Sequence, residues 1–167
     1  MELRGERVVL RTLMEPDVPR LLEIGREPGF MRWWPDLDEA NLGAKVSGTS
    51  GAISFAVAVA NEVIGIAQYS EEGNPEYRHA SIDLGLATAW QDQGFGTETV
   101  RALAHYLIRQ KGHHRIVIDP AADNDRAIRC YEKVGFRPVG VLRNYQRVGD
   151  GAWEDGLLMD LLAADLT

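Results

Sequence analysis

The chain has 167 residues, of which 45% are hydrophobic and 26% are charged, so it has the composition of a globular domain rather than of a disordered chain. Its 18 basic and 25 acidic residues give a net charge of −7, which argues against a nucleic-acid partner because phosphate binding needs a basic face. The only cysteine is Cys130, so there is no internal disulfide, and no apolar run approaches the ~20 residues that span a bilayer. The opening run MELRGERVVL is too charged for a signal peptide. We expect one cytoplasmic domain over residues 1–167, without membrane contact.

Strand and helix patterns alternate from the N-terminus. Residues 6–13 contain the apolar run of a first strand, and apolar residues at helical spacing follow Pro16, a residue suited to a first helical turn. The tripeptide Glu27-Pro28-Gly29 predicts the end of that helix, and residues 36–45 allow a short second helix.

The middle of the chain predicts three strands. Residues 53–59 and 63–69 indicate a β-hairpin whose turn is Asn61-Glu62. A further strand covers residues 78–87, where side chains alternate between two faces. One face of this strand carries Ile82, Leu84 and Leu86, and the other carries Ser81, Asp83 and Gly85.

A glycine-rich turn, Gln91-Asp92-Gln93-Gly94-Phe95-Gly96-Thr97, follows this strand and opens a helix. The start of a helix offers free backbone N–H groups and a positive dipole end, and glycines let a large anion approach them, as in a phosphate-binding turn. The segment lacks the lysine of a Walker loop and the third glycine of the dinucleotide fingerprint. A tight turn before a packed helix is the structural alternative.

The last third of the chain completes a mixed α/β pattern. The helix ends at Gly112, and residues 115–118 predict a strand that reaches its neighbour by a parallel crossover. Asn124 can cap a further helix that Gly135 closes. Residues 137–146 and 153–162 predict two final strands.

The last of these helices carries a second motif, N-x-x-A-x-x-x-Y-x-x-x-G-F, formed by Asn124, Ala127, Tyr131, Gly135 and Phe136. With Q-x-x-G-x-G before it, the chain resembles the GNAT acetyltransferase superfamily, in which the first motif binds the pyrophosphate of acetyl-CoA. The resemblance implies a single α/β domain. Its mixed, mostly antiparallel sheet is flanked by helices and splays between the fourth and fifth predicted strands, residues 78–87 and 115–118.

The resemblance also implies where acetyl-CoA binds: the thioester lies in the splay, the pantetheine arm pairs with the fourth predicted strand, and amides near residues 93–97 hold the diphosphate. The residues expected to bind acetyl-CoA are Leu84, Leu86, Thr88, Gln91, Gln93, Gly94, Phe95, Gly96, Thr97, Asn124, Ala127 and Tyr131. We expect no metal site, because His113 and His114 have no third ligand at a recognisable spacing.

Asp83 is the candidate proton acceptor, because a charge in the middle of a strand, opposite its apolar face, needs water, a partner or a substrate. Asp119 ends the next strand, and the two aspartates flank one cleft if the strands are neighbours. Tyr131 matches the family tyrosine that can protonate the leaving thiolate. The structural alternatives are ordinary solvated or capping aspartates and a core tyrosine.

The chain is further similar, over nearly its full length, to aminoglycoside 6′-N-acetyltransferases. The matching segments are Trp33-Trp34, Gly65–Tyr69, Ile82-Asp83 and Asp119–Phe136. This resemblance implies a cationic amine as substrate, with Asp83 and Asp119 facing it and Trp33 and Trp34 lining the acceptor side. More acids could enlarge the negative field, namely Glu71, Glu72, Glu76, Asp123 and Glu154. The short segment between Trp34 and Ile53 and the tryptophan-free loop at residues 71–77 depart from close relatives.

Two alternatives stay open from the sequence. Arg4–Leu13 and Asp17 also resemble acetyltransferases of ribosomal-protein N-termini, which act on a peptide amine. A non-catalytic module that binds acyl-CoA is the other. The sequence is compatible with a monomer or a homodimer.

Overall fold

The centre of the protein is one eight-stranded sheet, and the computed structural model describes residues 1–167. The strands are β1 (Glu2–Arg4), β2 (Val8–Thr12), β3 (Ile53–Val59), β4 (Glu62–Glu72), β5 (His79–Leu86), β6 (Arg115–Ile118), β7 (Arg137–Arg147) and β8 (Trp153–Leu162). Their spatial order is β1-β2-β3-β4-β5-β6-β8-β7, and only β5 and β6 run parallel. The predicted α/β class, with a mixed and mostly antiparallel sheet, is confirmed.

Five α-helices cover the two faces of this sheet. They are α1 (Val18–Gly25), α2 (Pro28–Met31), α3 (Glu39–Ser47), α4 (Phe95–Arg109) and α5 (Asp125–Glu132). The first three bury residues such as Leu21, Phe30 and Leu42 on one face, and α4 and α5 bury Leu103 and Tyr131 on the other. No helix combines the length and apolar character needed to cross a membrane.

Two short elements were not predicted, and one turn was placed wrongly. The short strand β1 was missed, although it pairs with β2 from Glu2 to Arg4. The first helix does end just before the predicted tripeptide, at Gly25, and Glu27 is extended ahead of Pro28. Helix α2, which was not predicted, begins at Pro28, because the fixed φ of proline suits a first helical turn and the lost N–H is not needed there. The hairpin turn is Ala60-Asn61, both at positive φ (48° and 68°), while Glu62 already pairs with Val59.

The sheet splays between β5 and β6, which pair only at Ala80 with Ile116 and at Ser81 with Val117. Beyond these pairs the strands separate, so the splay expected between the fourth and fifth predicted strands is present. Two residues past the last pair come Asp83 on one side of the gap and Asp119 on the other. The gap therefore opens between the two aspartates singled out from the sequence.

Candidate active site

The glycine-rich turn ends at Gly94, which caps α4 in the left-handed conformation with φ of 87°. The backbone N–H groups of residues 93–97 find no acceptor within the chain. They are the unpaired donors that every helix start leaves, concentrated here at a turn with little side-chain bulk. The arrangement can bind a phosphate group through the main chain.

Arg7 holds this turn in place, a role that no local pattern in the sequence indicates. Its Nε lies 3.1 Å from Oε2 of Glu98, and its Nη2 donates to the Gln93 carbonyl at 3.3 Å. Its guanidinium lies 4.2 Å from the centre of the Phe95 ring, which also packs edge-on against Trp90. The side chain of Phe95 is thus part of the core, and only its main chain can face a ligand.

A cleft of about 260 Å³, which we call the glycine-turn cleft, adjoins this segment. Of the residues predicted to bind acetyl-CoA, it is lined by Leu84, Leu86, Gln91, Gly94, Gly96, Thr97, Asn124, Ala127 and Tyr131. Three basic residues of or just after α5 also line it, Arg126, Arg129 and Lys133, which the sequence analysis did not select. A Cβ at Gly96 would lie 3.2 Å from Sγ of Cys130, so the missing side chain keeps this wall open. The free amides, open wall and basic residues fit acetyl-CoA.

Three residues predicted to bind acetyl-CoA do not line the cleft. The Thr88 amide donates to Oε1 of Glu27 at 2.7 Å, and the Gln93 side chain donates to the Ala89 carbonyl at 2.7 Å. Phe95 is the third, for the packing reason given above. Gln91 differs in that its Nε2 donates to the Leu86 carbonyl at 2.9 Å, which ties the turn to the end of β5.

A second cavity of about 460 Å³, the aspartate cleft, opens at the splay. The polar and aromatic residues lining it are Trp33, Trp34, Asp36, Asn41, Lys45, Gln68, Asp83, Asp119, Asn124, Tyr131, Tyr145 and Gln146. The structure therefore brings together all four residues predicted to bind the acceptor, Trp33, Trp34, Asp83 and Asp119. Lys45, Gln68 and Tyr145 were not selected from the sequence, because they come from three different elements.

Asp83 ends a row of polar side chains that crosses three strands. Ser54 on β3 pairs with Gln68 on β4, and Gln68 pairs with Asp83 on β5. Within this row Nε2 of Gln68 donates to Oδ2 of Asp83 at 2.8 Å. Asp83 is exposed to the cleft, as its position opposite the apolar face of the strand predicts.

Asp119 lies across the gap and is half-buried. Burial raises the pKa of its carboxyl group, and the charge of Asp83 raises it further. The Tyr145 hydroxyl donates a hydrogen bond to Oδ2 of Asp119, which opposes that rise. The same hydrogen bond, together with burial, raises the pKa of Tyr145 to about 12, so the phenol stays protonated at neutral pH.

The two clefts meet at residues that line both of them: Trp33, Trp34, Leu84, Asn124 and Tyr131. Tyr131 is 7% exposed and packs against Phe136 with ring centres 6.2 Å apart. Burial raises the pKa of its hydroxyl, and the nearby carboxylates of Asp83 and Asp119 add to this. Asn124 caps α5 by accepting the Ala127 N–H at 3.3 Å, which leaves its side-chain NH₂ group available to a ligand.

The tryptophan pair follows α2 and is anchored through Phe30. A Cβ at Gly85 would lie 2.5 Å from the Phe30 ring, so a glycine on β5 is what allows α2 to approach the sheet. Trp34 stacks on Phe30 with ring centres 6.0 Å apart. Both tryptophans are half-buried rather than part of the closed core, which leaves ring surface facing the clefts.

Arg32 connects this segment to residues before α5 and on β8. Its guanidinium lies over Trp33 at 4.4 Å and donates to Glu154 at 3.1 Å and to Asp123 at 3.4 Å. Two of the outer acids are therefore paired with Arg32, whose single positive charge offsets one of their two negative charges. A third, Glu71, contacts His113 at 2.7 Å and Lys111 at 3.2 Å and does not line the aspartate cleft.

Comparison with known proteins identifies the class. Residues 7–137 match the family model described as an acetyltransferase (GNAT) domain, and the chain belongs to this family. Aminoglycoside N(6′)-acetyltransferase type 1 of Klebsiella pneumoniae is 33% identical over 159 residues, covering 83% of this chain and 78% of the relative. The [Ribosomal protein uS5]-alanine N-acetyltransferase of Escherichia coli K12 is 27% identical over 106 residues, covering 64% of this chain and 54% of the relative.

The fold comparison agrees with the sequence comparison. The solved structure of AAC(6′)-Ib in complex with paromomycin and acetyl-CoA superposes with a TM-score of 0.75 at 29% identity, over 96% of both chains. The resemblance noted from the sequence motifs is confirmed, and the protein is an acetyl-CoA-dependent N-acetyltransferase. No group of three or more His, Cys, Asp or Glu side chains is arranged to hold a metal ion.

Proposed function

We propose that this enzyme acetylates a primary amine of an aminoglycoside, the 6′-amine by likeness to its relatives, by direct transfer within a ternary complex. The observation that carries this proposal is the pair of aspartates, Asp83 and Asp119, across a gap where the glycine-turn cleft meets the aspartate cleft. One cleft offers main-chain donors for a diphosphate, and the other offers carboxylates for a cation. The two share the residues where donor and acceptor would meet.

Acetyl-CoA supplies the acetyl group as a thioester, whose carbonyl carbon the acceptor amine attacks. Amides near residues 93–97 hold the diphosphate, while Leu84 and Leu86 flank the pantetheine arm. Backbone amides at the splay polarise the thioester carbonyl. Asn124 orients the arm through its free NH₂ group.

Asp83 takes the proton that the attacking amine loses, directly or through water. Its carboxylate is exposed to the cleft, and its Oδ1 accepts no hydrogen bond from the chain. Tyr131 gives a proton to the departing thiolate. Burial raises the pKa of Tyr131, so its hydroxyl keeps that proton until the thiolate forms.

The acceptor subsite suits a polycation. Asp36, Asp83 and Asp119 line one cavity, and each ammonium–carboxylate hydrogen bond contributes roughly 1.5–3 kcal/mol. Asp83 and Asp119 are like charges that line one cavity, so a bound cation relieves the repulsion between them. Trp33 and Trp34 supply flat apolar walls for a sugar ring.

A peptide N-terminus is the second candidate acceptor, because the E. coli relative that carries the name of such an enzyme is 27% identical. Lys45 offsets one of the three aspartate charges in this cavity, which leaves an excess of two negative charges. A single peptide amine would pair with only one of them, so the cleft favours the aminoglycoside. A module that only binds acyl-CoA would not need a proton acceptor such as Asp83 or a proton donor such as Tyr131 in the cleft.

The test is release of free thiol from acetyl-CoA with a panel of acceptors. We expect turnover with kanamycin-type amines, and a product modified at the 6′ position by mass spectrometry and NMR. An N-terminal peptide of ribosomal protein uS5 is the comparison acceptor. Faster turnover with the peptide would assign the second candidate, and no thiol release with any aminoglycoside would end the first.

A further inference from the structure

A buried lysine faces the aspartate cleft. Lys45 lies in the last turn of α3, is 9% exposed and lines this cavity. The two other lysines of the chain differ: Lys133 lines the glycine-turn cleft, and Lys111 pairs with Glu71 away from both clefts. Burying an ammonium group is costly unless it is hydrogen-bonded, so the contacts of Lys45 need an explanation.

Lys45 reaches Asp83 through one intermediate. Its Nζ donates to Oε1 of Gln68 at 2.6 Å, and Nε2 of Gln68 donates to Oδ2 of Asp83 at 2.8 Å. Ser54 adds a longer hydrogen bond to Oε1 of Gln68 at 3.4 Å. The Lys45 ammonium also lies 5.6 Å from the centre of the Trp34 ring, which lines both clefts.

The chemistry of these groups permits one orientation of the amide. A lysine ammonium has three donors and no acceptor, and an amide side chain has one oxygen and one NH₂ group. The oxygen of Gln68 must therefore face Lys45, and its NH₂ group must face the carboxylate. With Oδ2 of Asp83 occupied in this way, Oδ1 is left for the acceptor amine.

We propose that Lys45, acting through Gln68, is a positioning residue that fixes the carboxylate of Asp83 for proton transfer. This inference rests on the proposed function, because it concerns how the proton acceptor is held. Neither residue contacts the reacting atoms in this proposal. Lys45 does not line the glycine-turn cleft, so binding of acetyl-CoA does not depend on it.

The hydrogen bonds from Lys45 to Gln68 and from Gln68 to Asp83, which we call the Lys45 relay, depend on pH because Lys45 must be protonated. Burial lowers the pKa of Lys45, while the charges of Asp83 and Asp36 raise it. Asp119, Tyr131 and Tyr145 are the other titratable groups that line the cavity. Above the lowered pKa, neutral Lys45 can accept as well as donate, and the amide of Gln68 is no longer held in one orientation. An arginine at this position keeps its charge over the whole working range.

The experiment compares Lys45→Met, Lys45→Arg, Gln68→Leu and the Met/Leu double variant in thiol release. We expect kcat to fall roughly 10- to 100-fold in Lys45→Met and in Gln68→Leu, with KM for acetyl-CoA unchanged. The double variant should be no slower than the slower single variant, because both changes break one chain of contacts. Lys45→Arg should recover most of kcat and shift the alkaline fall in rate to higher pH.

Controls separate this inference from the proposed function. Lys111→Met makes the same change away from both clefts and should leave kcat unchanged, while thermal melting and CoA affinity report whether each variant folds. If Asp83→Asn keeps full activity, the proposed role of Asp83 fails. If Asp83→Asn lowers kcat but Lys45→Met and Gln68→Leu keep the wild-type kcat, the proposed role of Asp83 stands and only the positioning role of Lys45 is wrong. Losses that multiply in the double variant, or an arginine variant as slow as the methionine variant, would also overturn the relay.

Discussion

The Tyr145 hydroxyl donates a hydrogen bond to the Asp119 carboxylate, and this contact joins edge strand β7 to the end of β6. The two residues are 26 positions apart in the chain. The hydrogen bond favours the ionised carboxylate in a place where burial and the charge of Asp83 both disfavour it. Tyr145 therefore controls how much negative charge the aspartate cleft presents.

Removing this hydroxyl should change the pH dependence of acceptor binding. In Tyr145→Phe the pKa of Asp119 rises further, because the contact that lowers it is gone. Asp119 is then less ionised in mildly acidic buffer. We expect KM for a cationic amine to rise as pH falls, starting at a higher pH than in the wild type. Steady-state kinetics across the pH range test this, and identical pH profiles would contradict it.

Asp119→Asn should show the stability effect of the same carboxyl group. Its folded-state pKa is raised, so its contribution to stability is complete below the unfolded pKa, near 3.9, and is lost as pH rises through the folded value. An asparagine side chain does not ionise, so the variant keeps this stability as pH rises. We expect the variant to melt at a higher temperature than the wild type at neutral pH. The difference should shrink in acid, and a constant difference at all pH values would count against burial as the cause.

Tyr131→Phe should slow turnover without weakening the binding of CoA. The ring keeps its packing against Phe136, and only the buried hydroxyl is lost. General-acid assistance contributes about 10²- to 10⁴-fold, so a clear fall in kcat is expected. Kinetics should be paired with calorimetric titration of CoA. An unchanged kcat would remove the role of Tyr131 as proton donor.

Gly94→Ala should weaken the binding of acetyl-CoA. The residue has φ of 87°, where a side chain costs roughly 1–2 kcal/mol, and a Cβ would lie 3.1 Å from Nη2 of Arg7. The turn must shift, and its free amides shift with it. Gly73→Ala is the matched control, because a Cβ there meets nothing within 4 Å. Equal CoA affinity in the two variants would show that the turn tolerates the change.

Local patterns in the sequence were enough to predict much of the fold. The alternation along β5 placed Asp83 opposite the apolar face, and Asn124 caps α5 as its position before a helical pattern indicates. These features depend on neighbours within a few residues. Helix α2 was not predicted, because a proline that follows one helix can also begin the next.

The parts of the site that depend on distant contacts could not be found in this way. Gln68 meets Asp83 only because β4 and β5 pair in one particular register, and Lys45 meets Gln68 only because α3 packs over that row. Tyr145 reaches Asp119 from a strand that β8 separates from β6. In the sequence alone, each of these side chains resembles an ordinary solvent-exposed polar residue, because its partner is far away along the chain.

Arg32 joins the segment after α2 to two acidic residues from other parts of the chain, Asp123 before α5 and Glu154 on β8. Its guanidinium stacks over the Trp33 ring and forms ion pairs with Asp123 and Glu154. Because these ion pairs are exposed, added salt weakens them through screening, with a Debye length of about 8 Å at physiological ionic strength. We therefore expect the segment that carries Trp33 to be held less firmly against Asp123 and Glu154 as the ionic strength rises.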